Sequence, residues 1–127
     1  MAPKVLIVED DDATRNALKA MLAHAGYDTT AAGTFEAGVR ALVADAPDLL
    51  ITDVRLGEYN GLQLVATARE KISAIVLTGF ADPVLERDAL LLGADYLMKP
   101  VSPPALLKLV EKKLASAEQD GLSRVRE

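Results

Sequence analysis

Val5-Leu6-Ile7-Val8-Glu9-Asp10-Asp11-Asp12 is a four-residue apolar run that breaks into four consecutive acids. So short a run, with no polar alternation, suits a strand of a parallel sheet covered on both faces. It is too short for a signal-peptide core or a membrane span. Residues 49–51, 74–77 and 96–98 have the same character. Helical spacing separates these runs. Over 13–25, Ala17, Leu18, Met21, Leu22 and Ala25 form one stripe, with Arg15, Asn16 and Lys19 outside it. Asp12 is the expected N-cap and Gly26 the stop. Residues 27–32 read as a more polar strand, suited to an edge. Thr34 caps a helix over 35–46, with Phe35, Val39, Leu42 and Val43 inward and Pro47 just beyond. Further helices are expected over 62–71 and 83–92, the second ended by Gly93. Ser102 and Pro103 open a fifth, with Leu106, Leu107, Val110 and Leu114 toward the core.

Five βα units predict an α/β three-layer sandwich, a doubly wound five-stranded parallel sheet in the order 2-1-3-4-5. One domain over residues 1–117 is expected, with 118–127 a polar tail that either extends the last helix or frays. The 127 residues suffice for a core without staples, and half are apolar, which excludes wholesale disorder. Absence of cysteine excludes disulfides, thiolate metal sites and a Cys nucleophile. Fourteen bases against 19 acids give a net charge of −5, which argues against a nucleic-acid binder with a basic surface. A soluble, cytoplasmic protein with no membrane contact is expected.

In open α/β sheets, ligands sit outside the carboxyl ends of the strands, near the switch point between strands 1 and 3. Here strand 1 ends in Glu9 and Asp10, strand 3 in Asp53, strand 4 in Thr78 and strand 5 in Lys99. Crowded carboxylates repel unless a cation intervenes. Oxygen ligands without His or Cys favour Mg2+, Mn2+ or Ca2+ over zinc. A hydroxyl and an ammonium beside a carboxylate and a cation are what a phosphoryl group on that carboxylate requires. Each residue alone has an ordinary use: acids cap helices, Thr forms strands, Lys is solvated. The coincidence at four strand ends carries the argument.

At this point the chain resembles the receiver domains of two-component response regulators, the CheY-like family. The matching stretches are Val5-Leu6-Ile7-Val8-Glu9-Asp10, Leu50-Ile51-Thr52-Asp53-Val54-Arg55, Asn60-Gly61, Ile75-Val76-Leu77-Thr78-Gly79 and Gly93-Ala94-Asp95-Tyr96-Leu97-Met98-Lys99-Pro100. The resemblance implies that Asp53 is the phosphoacceptor, fed by a phosphohistidine of a histidine kinase or histidine phosphotransfer protein. It implies that Asp10 contacts Mg2+ (or Mn2+) directly, Glu9 through water and Arg55 through its backbone carbonyl. Thr78 would be the switch hydroxyl, Lys99 the ion-pair partner of the phosphoryl group, Tyr96 the aromatic that turns inward, and Lys99-Pro100 a cis peptide. The chain would be no enzyme beyond its own phosphorylation and dephosphorylation. It would signal to a downstream protein through helix 4, strand 5 and helix 5, as a monomer or a phosphorylation-dependent dimer. The kinase is expected to dock around helix 1 and the loop after strand 5.

The chain departs from the family at Gly57, where a proline is usual, and carries Gly79 where Ala is frequent. Arg55 and Phe80 occupy the variable positions that tune water access. His24 is read as a dipole partner near the end of helix 1. A haloacid-dehalogenase-type phosphatase would need a second Asp where Arg55 stands. A flavodoxin-shaped nucleotide or flavin binder would need GxGxxG or a Walker loop, and the chain has neither. A pseudo-receiver, a phosphorylation-independent binding module, would lack some of Glu9, Asp10, Asp53, Thr78 and Lys99, and all are present. Glu9, Asp10, Asp11, Asp12 and Asp53 make five charges, and the other 14 acids balance the 14 bases. The excess therefore sits at one expected edge of the sheet.

Overall fold

A computed structural model describes residues 2–68 and 72–126. Along the chain run β1 (Lys4–Val8), α1 (Asp12–His24), β2 (Asp28–Ala32), α2 (Phe35–Asp45), β3 (Leu49–Asp53), β4 (Arg55–Leu56), β5 (Tyr59–Asn60), α3 (Gly61–Ala68), β6 (Ser73–Thr78), α4 (Pro83–Leu91), β7 (Ala94–Met98) and α5 (Pro103–Arg126). The main sheet is parallel, in the order β2-β1-β3-β6-β7. This is the expected 2-1-3-4-5 order once the small β4–β5 hairpin is set aside. The expected end of the third helix at Lys71 lies outside the described residues.

Alternation along each strand divides the apolar side chains between two layers. Leu6, Val8, Leu50 and Val76 meet Leu42, Leu64, Val65 and Ala89 of α2, α3 and α4. Val5, Ile7, Leu49, Ile51, Ile75 and Leu77 meet Leu18, Leu22, Leu106 and Val110 of α1 and α5. That is why these strands are continuous apolar runs: both faces are covered. The more polar β2 is an edge strand, half-buried along most of its length.

Several local expectations need correction. The N-cap of α1 is Asp11, not Asp12; its carboxylate accepts from Thr14 N–H at 2.9 Å. Asp12 lies in the first turn. The inward stripe of α1 is narrower than expected: Ala17 and Ala25 are exposed. Val43 is 81% exposed, because Leu42 already fills the inward position of that turn of α2. Thr34 caps α2 as expected, accepting from Ala37 N–H at 3.1 Å.

The hairpin from Arg55 to Asn60 escaped the sequence reading. Its two-residue strands are joined by Gly57 and Glu58, with Gly57 at φ +64°. Glycine at the first central position of a two-residue loop is the chemistry such a turn needs. Tyr59 then stacks on Phe35 at the start of α2, with centroids 4.4 Å apart and planes 12° apart. Asn60 accepts from Leu62 N–H at 2.8 Å, while Gln63 accepts from Asn60 N–H at 3.0 Å. That reciprocal pair starts α3.

Candidate functional site

The carboxyl ends of β1 and β3 are adjacent because Val8 is in register with Thr52. This brings Glu9, Asp10 and Asp53 together, each offering a carboxylate oxygen within 4.8 Å of the others. Glu9 is 1% exposed and Asp53 is 9% exposed, whereas Asp10 faces solvent. Three hard oxygen donors with no nitrogen or sulfur among them fit a magnesium-like dication.

The end of β7 supplies the counter-charge. Lys99 N–H donates to the Thr78 carbonyl at 2.7 Å, which places Lys99 beside the end of β6. Its Nζ then lies 2.5 Å from Glu9 Oε1 and 3.2 Å from Asp53 Oδ2. The Lys99–Pro100 peptide is cis. Burial pulls the Lys99 ammonium down, but its hydrogen bond to Glu9 and the charges of Asp53 and Glu9 outweigh that and hold it above its ordinary value. Partial burial, then a hydrogen bond and charge from Glu9, raise the Asp10 carboxyl. Asp11 is lowered by its hydrogen bonds with Thr14, as suits a helix cap and not a cation ligand.

Thr78 is 3% exposed at the end of β6. Its Oγ1 accepts from Phe80 N–H at 3.2 Å and donates to the Phe80 carbonyl at 3.3 Å. The Tyr96 hydroxyl donates to the same carbonyl at 2.7 Å. The Arg55 guanidinium lies over the Phe80 ring, its carbon 4.6 Å from the ring centroid. Val54, Arg55, Asn60, Thr78 and Phe80 contribute to a cleft of about 330 Å³ beside Asp53's strand end. Arg55 and Asn60 face each other as the wide pair of the hairpin, closed by Gly61 N–H donating to the Val54 carbonyl at 2.6 Å. In such a pair the Arg55 main-chain carbonyl turns out of the ladder.

Two residues matter that the sequence reading gave no role. Gly61 lies so close to Asp53 that a Cβ there would strike the Asp53 carbonyl oxygen, and it would meet Thr52 Oγ1 at 2.9 Å. The Asn60-Gly61 pair was visible as a matching stretch, but its reason was not. Arg15 was assigned to the outer face of α1; its Nη1 instead donates to the Glu9 carbonyl at 3.0 Å.

The sequence profile of the response regulator receiver domain matches residues 5–111. Response regulator protein FleR of Pseudomonas aeruginosa is 36% identical over 95% of this chain, a match covering 27% of FleR. An uncharacterized 14.6 kDa protein of Leptolyngbya boryana is 36% identical over 85% of this chain and 87% of its own length. The transcriptional regulatory protein AruR of P. aeruginosa is 35% identical over 84% of this chain and 47% of its own. The chain thus spans about a quarter to a half of the length of the two named regulators. A CheY-like receiver domain protein of Methanospirillum hungatei superposes with a TM-score of 0.89 at 31% identity, covering 94% of this chain and 99% of that one. The chain belongs to the response regulator receiver family of two-component signalling, and its fold is CheY-like, within the flavodoxin-like group. Among the described residues, no helix is long and apolar enough to cross a membrane.

Proposed function

We propose that this chain is a Mg2+-dependent phosphoacceptor, with Asp53 as the residue that is phosphorylated. The observation that carries this reading is the Asp53 carboxylate, within 4.8 Å of Glu9 and Asp10 oxygens and 3.2 Å from Lys99 Nζ. The donor is a phosphohistidine of a histidine kinase or histidine phosphotransfer protein. An Asp53 oxygen attacks phosphorus in line as the P–N bond breaks, and the imidazole leaves with its electron pair. Glu9, Asp10, Asp53 and the Arg55 main-chain carbonyl would hold Mg2+ (or Mn2+), which supplies charge neutralisation at the phosphoryl oxygens. Lys99, which pairs with both Glu9 and Asp53, would supply the second positive charge, released in part from Glu9. Water later cleaves the acyl phosphate, so the chain acts only on itself.

The new oxygens compete with Phe80 for the Thr78 hydroxyl. Movement of Thr78 toward them loosens the Phe80 turn and frees Tyr96 to turn inward. A local charge event would thereby rearrange α4, β7 and α5, the face offered to a downstream protein. We place this activity in the cytoplasm, with the monomer or a phosphorylation-dependent dimer as the working form.

The test is incubation with Mg2+ and acetyl phosphate, read by intact mass. One added phosphoryl group is expected, absent in Asp53→Asn and absent with a chelator. No adduct, with beryllofluoride also failing to bind, would favour the pseudo-receiver.

A further inference from the structure

Arg15 lies on α1, outside the carboxylate cluster, yet its side chain is only 20% exposed. The guanidinium is held at two points. Nη1 donates to the Glu9 carbonyl at 3.0 Å, and Nη2 pairs with Asp12 Oδ1 at 2.5 Å. The Glu9 carbonyl belongs to the Glu9–Asp10 peptide, so this contact fixes the direction in which Asp10 leaves the strand. The other side of the same residue is also tied, by Glu9 N–H donating to the Ala32 carbonyl at 3.0 Å. The chain then turns at Gly33. A Cβ there would approach Arg15 Nη1 to 2.9 Å, so the guanidinium in its present place would have to shift to admit one.

We propose that Arg15 is a positioning residue for the cation site, bracing the Glu9–Asp10 peptide, and that Gly33 is the slot that admits its guanidinium. The proposal rests on the reading of Glu9, Asp10 and Asp53 as cation ligands. Its sign is informative. By charge alone, a guanidinium near a dication repels it, and removing Arg15 should tighten binding. Bracing predicts the opposite, because supports behind metal ligands typically change affinity by 10–100-fold.

The experiment is calorimetric titration of the full chain with Mg2+, alongside thermal unfolding without metal. Arg15→Ala is expected to raise the Mg2+ Kd by about tenfold. Gly33→Ala, which touches no carboxylate, is expected to weaken binding in the same direction by displacing the guanidinium. The double variant should bind no worse than Arg15→Ala alone, since the second change has nothing left to displace. Arg15→Lys keeps the charge but cannot span both contacts, and should recover only part of the affinity. Unchanged or tighter Mg2+ binding in Arg15→Ala, with or without a lower Tm, would overturn the proposal. Additive losses in the double variant would do the same. If Arg15→Ala does not fold, Gly33→Ala and Arg15→Lys decide the matter on the same criterion. If the unmodified chain takes up no Mg2+, the phosphoacceptor reading fails too; if it binds and the variants bind equally, bracing alone fails.

Discussion

Tyr96 donates its phenolic hydrogen to the main-chain carbonyl of Phe80 at 2.7 Å. Thr78 reaches the same oxygen at 3.3 Å, so strand β7 and the end of β6 converge on a single acceptor. The β6–α4 turn is thereby tied to both residues of the proposed switch.

Tyr96→Phe removes one of these ties and leaves the other. One hydrogen bond contributes about 0.5–1.5 kcal/mol net. For a domain of 127 residues that lowers Tm by roughly 2–6 °C. Phosphorylation of Asp53 by acetyl phosphate should be unchanged, because Tyr96 touches none of the carboxylates. A loss of phosphorylation in this variant would place Tyr96 at the acceptor instead of in the readout.

Lys99 makes the metal-free protein sensitive to alkali. Its folded-state pKa is raised above the ordinary value of 10.5. Its contribution is therefore complete below the unfolded pKa and is lost as pH rises through the folded pKa. Denaturant unfolding from pH 8 to 11.5 should show stability falling at the alkaline end. Lys99→Met should lower stability at neutral pH, by leaving Glu9 buried without its partner. The same variant should flatten the alkaline fall, and an equally steep fall would assign it to other groups.

Gly61→Ala and Gly79→Ala separate two kinds of glycine. At Gly61 the added Cβ strikes backbone at Asp53; at Gly79 nothing lies within 4 Å. Forced overpacking against backbone costs about 1–3 kcal/mol or more. We expect Gly61→Ala to fall in or above that range and to impair Asp53 phosphorylation. Gly79→Ala should fold with unchanged or slightly higher stability, because a less flexible unfolded chain favours folding. Chemical denaturation of the two variants side by side checks both.

Gly57→Pro should destabilise the chain, although proline is usual at this position in the family it resembles. Proline holds φ near −65°, whereas Gly57 sits at +64°. The substitution breaks the turn that carries Tyr59 onto Phe35. A loss of about 1–3 kcal/mol is expected, with a change in the Tyr59 and Phe35 ring resonances in NMR spectra. A more stable Gly57→Pro variant would show that the loop adopts another turn in solution.

The layered sheet was legible because burial on both faces leaves its mark in sequence: unbroken runs such as Val5-Leu6-Ile7-Val8. The hairpin was not, since two-residue strands carry no periodicity. Gly57-Glu58 was its one local signal, read only as a departure from proline. Val43 was misplaced because apolar character alone does not say which of two neighbouring residues on a helix turns inward. Arg15 was missed because its target is a main-chain carbonyl, which has no sequence identity.

By itself, the sequence determined which groups stand at the strand ends: Glu9, Asp10, Asp53, Thr78 and Lys99. Periodicity and chain order dictate that much, because they set where each strand stops. Only the tertiary structure decided what those groups touch. Lys99 meets Glu9 across 90 positions of chain, Thr78 and Tyr96 share the Phe80 carbonyl, and Gly61 leaves room for Asp53. Such contacts depend on strand register and on side-chain rotamers over a few ångströms, and these arise only when the layers pack together.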